Sequence, residues 1–170
     1  MATAQPKAQP VVFRISQTFN VPRERMWKAW TTTEQAKWFG PKGSKIIYNT
    51  VDLRPGGASR YGMEFNGNKT WGKWAYKDIK APEKIVAIVA FTDEGGEKII
   101  PHPGMPGWPR EMLSTVRFNV KGDKTEILVE WEPYNPTPEE RRVFDENQAS
   151  MQGGWSGTFE QLEAYFATNT

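Results

Sequence analysis

The stretch that decides the fold is TPEERRVFDENQASMQGGWSGTFEQLEAYF, residues 137–166. Thr137 and Glu140 have the spacing of a capping box, and Pro138 suits the first position of a helix. Apolar side chains then recur at helical spacing along one face, namely at Val143, Phe144, Met151, Trp155, Phe159, Leu162 and Phe166. The sequence therefore predicts one long amphipathic helix whose apolar stripe must be covered by another element.

Three glycines, Gly153, Gly154 and Gly157, interrupt this predicted helix. A glycine in a helix interior costs about 1 kcal/mol relative to alanine, so something in the fold should compensate for each one. The usual reason is a close approach of the backbone to a sheet or to a ligand. We expect these glycines to face the sheet opposite Trp155 and to leave an open space there.

The beginning of the chain alternates apolar and polar residues and then changes to helical spacing. The alternation at residues 11–20 predicts a strand. Pro22 suits the first turn of a helix, and a second short helix is predicted from Thr33 to the stop signal Gly40-Pro41. Two short helices therefore follow the first predicted strand.

The middle of the chain consists of alternating runs separated by turn signals. The pairs Asn66-Gly67 and Gly122-Asp123 are typical of two-residue hairpins. Six strands are predicted between the turns, at residues 45–53, 59–65, 70–79, 84–92, 113–121 and 125–134.

These elements predict an α+β fold. A meander of strands twists and cannot stay flat, and the long helix needs an apolar surface to cover it. We expect a curved antiparallel sheet of about seven strands around the long C-terminal helix, with the two short helices between strands 1 and 2. No internal repeat is visible, so residues 11–170 are predicted to form a single domain. Residues 1–10, MATAQPKAQP, are polar and contain proline, which favours a disordered tail.

Composition excludes several classes of function. The chain has no cysteine, which removes thiol chemistry and cysteine-ligated metals, and one histidine falls short of a metal site. The formal charge of +2 is spread along the sequence, so no nucleic-acid partner is expected. No apolar run reaches a membrane-spanning length, and the tail lacks the apolar region of a signal peptide. We expect a cytoplasmic protein with no membrane span and no cofactor.

Four stretches carry a resemblance to a known family. They are VPRERMWKAWTTTEQAKWFGP at residues 21–41, DLRPGG at 52–57 followed by RYGMEF, WGKWAYKDIKAPEKIV at 71–86, and GGWSGTFEQLEAYF at 153–166. In this order they resemble the bacterial homologues of the activator of the heat-shock protein 90 ATPase, within the START-like polyketide cyclase superfamily. The resemblance covers almost everything after the tail. It implies the helix-grip fold, in which the concave face of the sheet and the long helix enclose a ligand space.

The aromatic and methionine side chains are the main candidates for a binding site. In the helix-grip fold they would line the ligand space, and the candidates are Trp38, Phe39, Met63, Phe65, Trp74, Tyr76, Phe118, Trp131, Met151 and Trp155. The alternative is a filled core without a cavity. Tyr76 and the neighbourhood of Asp52 and Arg54 are the candidate polar groups that would orient a ligand.

The loop IIPHPGMPGWPREM, residues 99–112, contains the only histidine. His102 is interpreted either as a proton shuttle or ligand at a pocket mouth, or as a loop residue fixed by the flanking prolines. Met105 and Trp108 give the loop an apolar side. The loop is therefore either a lid over a pocket or a segment that packs its tryptophan onto one end of the sheet.

Charged residues in the predicted strands and turns have two interpretations. Asp52, Arg54 and Arg60 could anchor a ligand carboxylate or phenolate, or they could be solvated charges of a turn. Three further charged residues, Glu64, Lys73 and Asp78, lie on predicted strands. Their side chains either point into the pocket or lie on the solvated face of the sheet.

No catalytic residue is assigned, because no Ser-His-Asp set, phosphate-binding glycine loop or HExxH motif is found. The first functional hypothesis is non-enzymatic binding of a small hydrophobic or aromatic molecule. The superfamily resemblance also implies an enzyme like polyketide cyclases and aromatases, which would need a titratable group inside the pocket. The family resemblance implies a third function, a chaperone-interacting module that stimulates the heat-shock protein 90 ATPase.

Overall fold

The computed structural model describes residues 10–169, so nearly all of the predicted tail lies outside the described residues. The elements in chain order are β1 (Phe13–Phe19), α1 (Arg23–Thr31), a 3-10 helix (Thr33–Lys37), β2 (Lys45–Val51), β3 (Ala58–Phe65), β4 (Asn68–Lys80), β5 (Lys84–Thr92), β6 (Met112–Lys121), β7 (Lys124–Pro133), α2 (Pro138–Glu146) and α3 (Gln148–Thr168). Each strand of the predicted meander is present, and its ends agree with the predicted ends to within two residues.

The strands form one antiparallel sheet in the order β1-β7-β6-β5-β4-β3-β2. Strands β2 to β7 are neighbours in chain order, and β1 pairs with β7 to complete the seven. The β3–β4 hairpin turns at Asn66 and Gly67, which both have positive φ angles of 51° and 78°. This is the conformation that the Asn-Gly pair predicts. The predicted seven-stranded antiparallel sheet is confirmed.

Two irregularities interrupt the regular pairing of the sheet. The register shifts in β2 between Ile46 and Tyr48, and in β4 between Tyr76 and Asp78. A bulge bends its strand and increases the local twist. The bulges therefore help the sheet to curve around the helices.

The C-terminal helix is divided, which corrects the prediction of one continuous helix. The capping box of α2 is present: Thr137 Oγ1 accepts from the Glu140 backbone N–H at 3.1 Å, and the Thr137 N–H donates to Glu140 Oε1 at 3.2 Å. The division falls at Asn147, whose side chain donates to the Val143 carbonyl at 2.7 Å. Because this amide takes the carbonyl that the Asn147 N–H would use in a continuous helix, it competes with helix propagation.

The core is built around aromatic rings from several elements. Trp30 of α1 stacks parallel to Trp155 of α3 at a centroid distance of 6.3 Å. The edge of Phe118 from β6 meets Trp30 at 5.7 Å, and Phe159 of α3 meets Phe19 of β1 at 5.6 Å. All five rings are at least nine-tenths buried. The concave face of the sheet thus carries α1 and α3 on a shared aromatic layer.

The three helical glycines have different surroundings, which corrects the expectation that all of them face the sheet. A Cβ at Gly157 would lie 3.3 Å from the backbone nitrogen of Lys42, so this glycine permits a close approach to the segment after the 3-10 helix. A Cβ at Gly153 or Gly154 would meet nothing within 4 Å. Gly153 is exposed to solvent and nothing in the structure explains it. Gly154 lies beside Trp155 and borders the open space described next.

Candidate functional site

A cavity of about 430 Å³ lies between the sheet, the first half of α3 and the loop before β6. Strands β3, β4 and β5 supply most of the sheet side, and residues 39–41 close one end. The surface of the cavity is mainly apolar. Its volume falls within the range of ligand pockets, roughly 300–1,000 Å³.

Seven of the ten predicted pocket residues lie in the wall of this cavity. They come from the segment after the 3-10 helix, from the three strands β3, β4 and β7 and from α3, and they are Phe39, Met63, Phe65, Trp74, Trp131, Met151 and Trp155. Trp131 and Trp155 meet edge to face at 5.5 Å, and the Trp131 indole N–H donates to Ser114 Oγ at 2.9 Å. Gly154 precedes Trp155 in the wall and adds no side-chain volume.

The other three predicted pocket residues lie outside the cavity wall. Trp38 is buried against α1, where its indole N–H donates to the Ala29 carbonyl at 3.0 Å. Phe118 packs edge to face on Trp27 of the same helix, at 5.0 Å. Tyr76 is buried too, with its hydroxyl bonded to Ser59. The residues that contact these three rings belong to α1 and β3. Strand alternation alone does not show which other element will lie against a given ring.

The charged candidates from the sequence do not line the cavity. Arg54 pairs with Asp52 at 3.0 Å on an exposed turn, and Arg60 is bonded to the carbonyl of Gly95. Asp78 is exposed and lies 3.3 Å from the Lys84 ammonium group. Glu64 and Lys73 are likewise outside the wall. The predicted orienting groups Tyr76, Asp52 and Arg54 therefore lie outside the cavity wall, to which the loop before β6 contributes polar side chains.

The loop before β6 forms one side of the cavity and also packs on α2. His102, Met105 and Trp108 all contribute to the wall. Trp108 additionally packs on Phe144 of α2 at 5.9 Å. The loop thus borders the cavity, and its tryptophan packs on α2.

The His102 imidazole is held in one protonation state by its surroundings. Its Nδ1 accepts a hydrogen bond from the Gly104 backbone N–H at 2.9 Å. Its ring meets Phe91 edge to face at 4.9 Å, and burial lowers the pKa of His102 below its ordinary value. The ring is therefore neutral near pH 7, with its proton on Nε2.

Tyr61 is a wall residue that the sequence analysis missed. It lies in β3, two residues before Met63 and four before Phe65, so the period of two along RYGMEF was the signal that could have found it. Its ring crosses the partner strand over Gly72, where a Cβ would lie 2.4 Å from the Tyr61 hydroxyl. Burial raises the pKa of Tyr61 to about 12, so the phenol stays protonated.

The segment at residues 39–41 is attached to α3 by one side chain. Gln161 Nε2 donates to the carbonyls of Trp38, Gly40 and Pro41, at 3.2, 2.6 and 3.2 Å. The loop before β6 is attached to α2 in a similar way, because the Arg110 N–H donates to Glu140 Oε2 at 2.7 Å. Both covering segments are therefore fixed to helices by polar contacts.

The described part of the chain contains neither a metal-binding cluster nor a membrane-spanning helix. Residues 10–169 contain no group of three or more His, Cys, Asp or Glu side chains that could hold a metal ion. None of the helices among these residues combines the length and apolar character that crossing a membrane requires.

The curved antiparallel sheet, the long C-terminal helix and the apolar cavity between them define the helix-grip, START-like class of proteins. The family described as Activator of Hsp90 ATPase homolog 1-like protein matches residues 20–167. The chain belongs to this family. In sequence, no curated protein matches it.

Solved structures share the fold at low identity. A protein from Arthrobacter aurescens superposes with a TM-score of 0.75 at 21% identity, covering 96% of this chain and 90% of that one. Protein NE0264 from Nitrosomonas europaea gives a TM-score of 0.73 at 22% identity, with coverages of 94% and 96%. DynU16, of the dynemicin biosynthetic locus, gives 0.64 at 15% identity and covers 94% of this chain and 48% of its own. At these identities the similarity shows the fold alone.

Proposed function

We propose that the protein binds a small hydrophobic or aromatic molecule in the cavity between the sheet and α3, without transforming it. The observation that carries the proposal is the cavity of about 430 Å³ with a mainly apolar wall of aromatic rings and methionines. At about 25 cal/mol per Å², burying roughly 300 Å² of apolar ligand surface would contribute about 7 kcal/mol before the cost of association.

Gly154 offers a way to fill the cavity without disturbing its wall. It lies in the cavity wall, and a Cβ there would meet nothing within 4 Å. Gly153 is its neighbour in the same helix, has the same free space and faces solvent. Leucine at either position raises helix propensity by up to about 1 kcal/mol. Only Gly154→Leu places a side chain in the ligand space.

The test is a thermal-shift screen of aromatic polyketides, flavonoids, sterols and fatty acids against the wild type and these two variants. A ligand at one hundred times its Kd adds about 2.7 kcal/mol of stability. We expect a dose-dependent shift from one chemical class for the wild type and Gly153→Leu, and at least about tenfold weaker binding for Gly154→Leu. Equal binding by both variants, or no shift from any class, would contradict the proposal.

Catalysis of the cyclase or aromatase type has weaker support. The cavity wall does contain a titratable group, the imidazole of His102. Its Nδ1 is occupied by the Gly104 N–H, and no carboxylate lines the cavity within the described residues, so nothing there activates the ring as a base. This arrangement favours binding over proton transfer.

A chaperone-interacting function is the second candidate, because the fold assembles a basic cleft. About 460 Å³ in volume, the cleft is lined by one acidic side chain, Glu83, and by five basic ones, Arg23, Lys80, Lys84, Arg117 and Lys121. Three of these cations have acidic partners, in the pairs Lys80–Glu83 at 2.8 Å, Lys84–Asp78 at 3.3 Å and Arg117–Glu130 at 3.4 Å. No ion pair is formed by Arg23 or Lys121 within residues 10–169, so the cleft suits an acidic protein surface.

The chaperone candidate is tested by measuring the ATPase rate of the cognate cytoplasmic chaperone with and without the protein. We expect acceleration by the wild type and its loss in the double variant Arg23→Gln/Lys121→Gln. The matched control is Lys37→Gln/Lys69→Gln, which removes two exposed charges outside the cleft. No acceleration by the wild type, or equal loss in the control, would reject this candidate.

A further inference from the structure

The polar groups in the wall of the apolar cavity are mainly hydrogen-bond donors. No aspartate or glutamate of residues 10–169 lines the cavity. The polar side chains that do are four indoles, one imidazole, one guanidinium group and four hydroxyls, from Trp74, Trp108, Trp131, Trp155, His102, Arg110, Tyr61, Thr70, Ser150 and Thr158. A ligand that offers acceptors therefore finds partners in this wall, whereas a cation finds no anion.

The indole of Trp74 is a donor without a partner. The residue is 4% exposed, and its Nε1 is buried with no hydrogen bond within the described residues. A buried N–H that stays unpaired is costly. Trp74 also lines the cavity, but its Nε1 is enclosed by the protein, so a bound molecule would contact the ring rather than the N–H.

His102 and Arg110 supply two more donors from the loop before β6. With Nδ1 occupied, the neutral His102 ring has its remaining N–H at Nε2. Arg110 is exposed at the edge of the cavity, and its backbone is fixed by the bond from its N–H to Glu140. Its guanidinium group forms no ion pair within residues 10–169. A planar guanidinium group matches the geometry of a carboxylate.

We infer that the ligand is an apolar carboxylic acid, bound with its carboxylate at the loop that carries His102 and Arg110 and its rings or chain against the aromatic wall. This inference rests on the proposed binding function. A neutral analogue keeps the apolar contacts and loses the charge-assisted bonds, and an amine places its positive charge beside Arg110.

The experiment compares three probes that share one ring system, naphthoic acid, naphthalenemethanol and naphthylmethylamine, by titration calorimetry at neutral pH and low salt. We expect the acid to bind at least about tenfold more tightly than the alcohol, and the amine more weakly than the alcohol. Arg110→Gln should reduce the affinity for the acid to that for the alcohol and leave the alcohol unchanged. Arg110→Lys should retain most of the preference, and Lys124→Gln, an exposed charge on the far β6–β7 turn, should retain all of it.

The outcomes separate this inference from the binding function itself. If the alcohol or the amine binds as tightly as the acid, the inference is wrong and the binding function stands. If Arg110→Gln weakens all three probes equally, Arg110 has a structural role and the inference is again wrong. If none of the probes binds the wild type while larger apolar molecules without a carboxylate do, the inference is wrong and the binding function stands. Absence of binding by every class overturns both proposals.

Discussion

Single side chains fix the end of α3 to α1. Arg25 Nη2 lies 2.5 Å from Glu34 Oε1, and the Tyr165 hydroxyl bonds to the same carboxylate. Arg25 also lies over the ring of Phe166, 5.1 Å from its centroid. The burial of Glu34 would by itself raise its pKa, but the hydrogen bonds from Arg25 and Tyr165 outweigh it and lower the pKa below 4.5.

Glu34 should therefore contribute to the pH dependence of stability. A carboxyl group whose pKa is lower in the folded than in the unfolded state stabilises the fold above its ordinary pKa, and this contribution is lost as pH falls through the folded pKa. We expect Glu34→Gln to reduce the free energy of unfolding by about 1–3 kcal/mol at pH 7. Denaturant unfolding of both proteins at pH 7 and below the ordinary carboxyl pKa of 4.5 measures this. A difference that stays constant across this range would contradict the assignment.

At the residue scale, the sequence could group side chains whose neighbours share their own element. Met63 and Phe65 alternate along β3, and Met151 and Trp155 are one helical turn apart, so each pair shares a face. Trp38 and Phe118 were misplaced because the rings beside them belong to α1. Sequence periodicity determines which side chains share a face. It does not determine which helix will cover that face.

At the scale of elements, α2 is coupled to the cavity through its first turn. Glu140 completes the capping box with one carboxylate oxygen and accepts from the Arg110 N–H with the other. The Glu140 side chain thus takes part in capping the N-terminus of α2 and also holds the loop beside the cavity. The capping box was predictable from the sequence TPEE. The second bond was not, because it joins residues thirty positions apart.

Two variants separate the helix cap from the loop attachment. Thr137→Ala and Glu140→Ala each remove one half of the capping box, and each should cost about 1 kcal/mol in the free energy of unfolding. Only Glu140→Ala also frees the Arg110 amide. We expect hydrogen exchange at residues 102–110 to accelerate in Glu140→Ala and to remain unchanged in Thr137→Ala. The same exchange rate in both variants would show that the cap alone orders the loop.

The element boundaries were predictable because turn chemistry is local. Asn66-Gly67 and Gly122-Asp123 both lie at hairpins, and the strands between the turns keep their predicted extents. The division of the last helix was missed, because Asn147 is one polar residue in an otherwise helical pattern. Its effect depends on its side chain reaching the Val143 carbonyl, and the pattern of apolar residues contains no signal of that bond.

At the scale of the whole molecule, the order of β2 to β7 followed from their order in the chain, because strands that are neighbours in sequence commonly pair in space. The pairing of β1 with β7 did not follow from chain order. The cavity was not predictable to the same degree. Its wall combines β3 to β5, α3, residues 39–41 and the loop before β6, and whether these surfaces meet or leave a gap depends on the curvature of the sheet.

The bulge in β2 has a consequence for how copies of the molecule meet. Strands β1 and β2 are the two edges of the sheet, and an edge strand can pair with the edge of another chain. In β2 the extra residue at the bulge, Ile47, is 38% exposed and Tyr48 beside it is 42% exposed, so the edge carries apolar side chains. A regular edge strand with these exposed apolar residues would favour pairing between the sheets of neighbouring molecules, as in a fibril. The bulge breaks the row of free N–H and C=O groups, which disfavours the addition of another chain at this edge and lets the sheet end at seven strands.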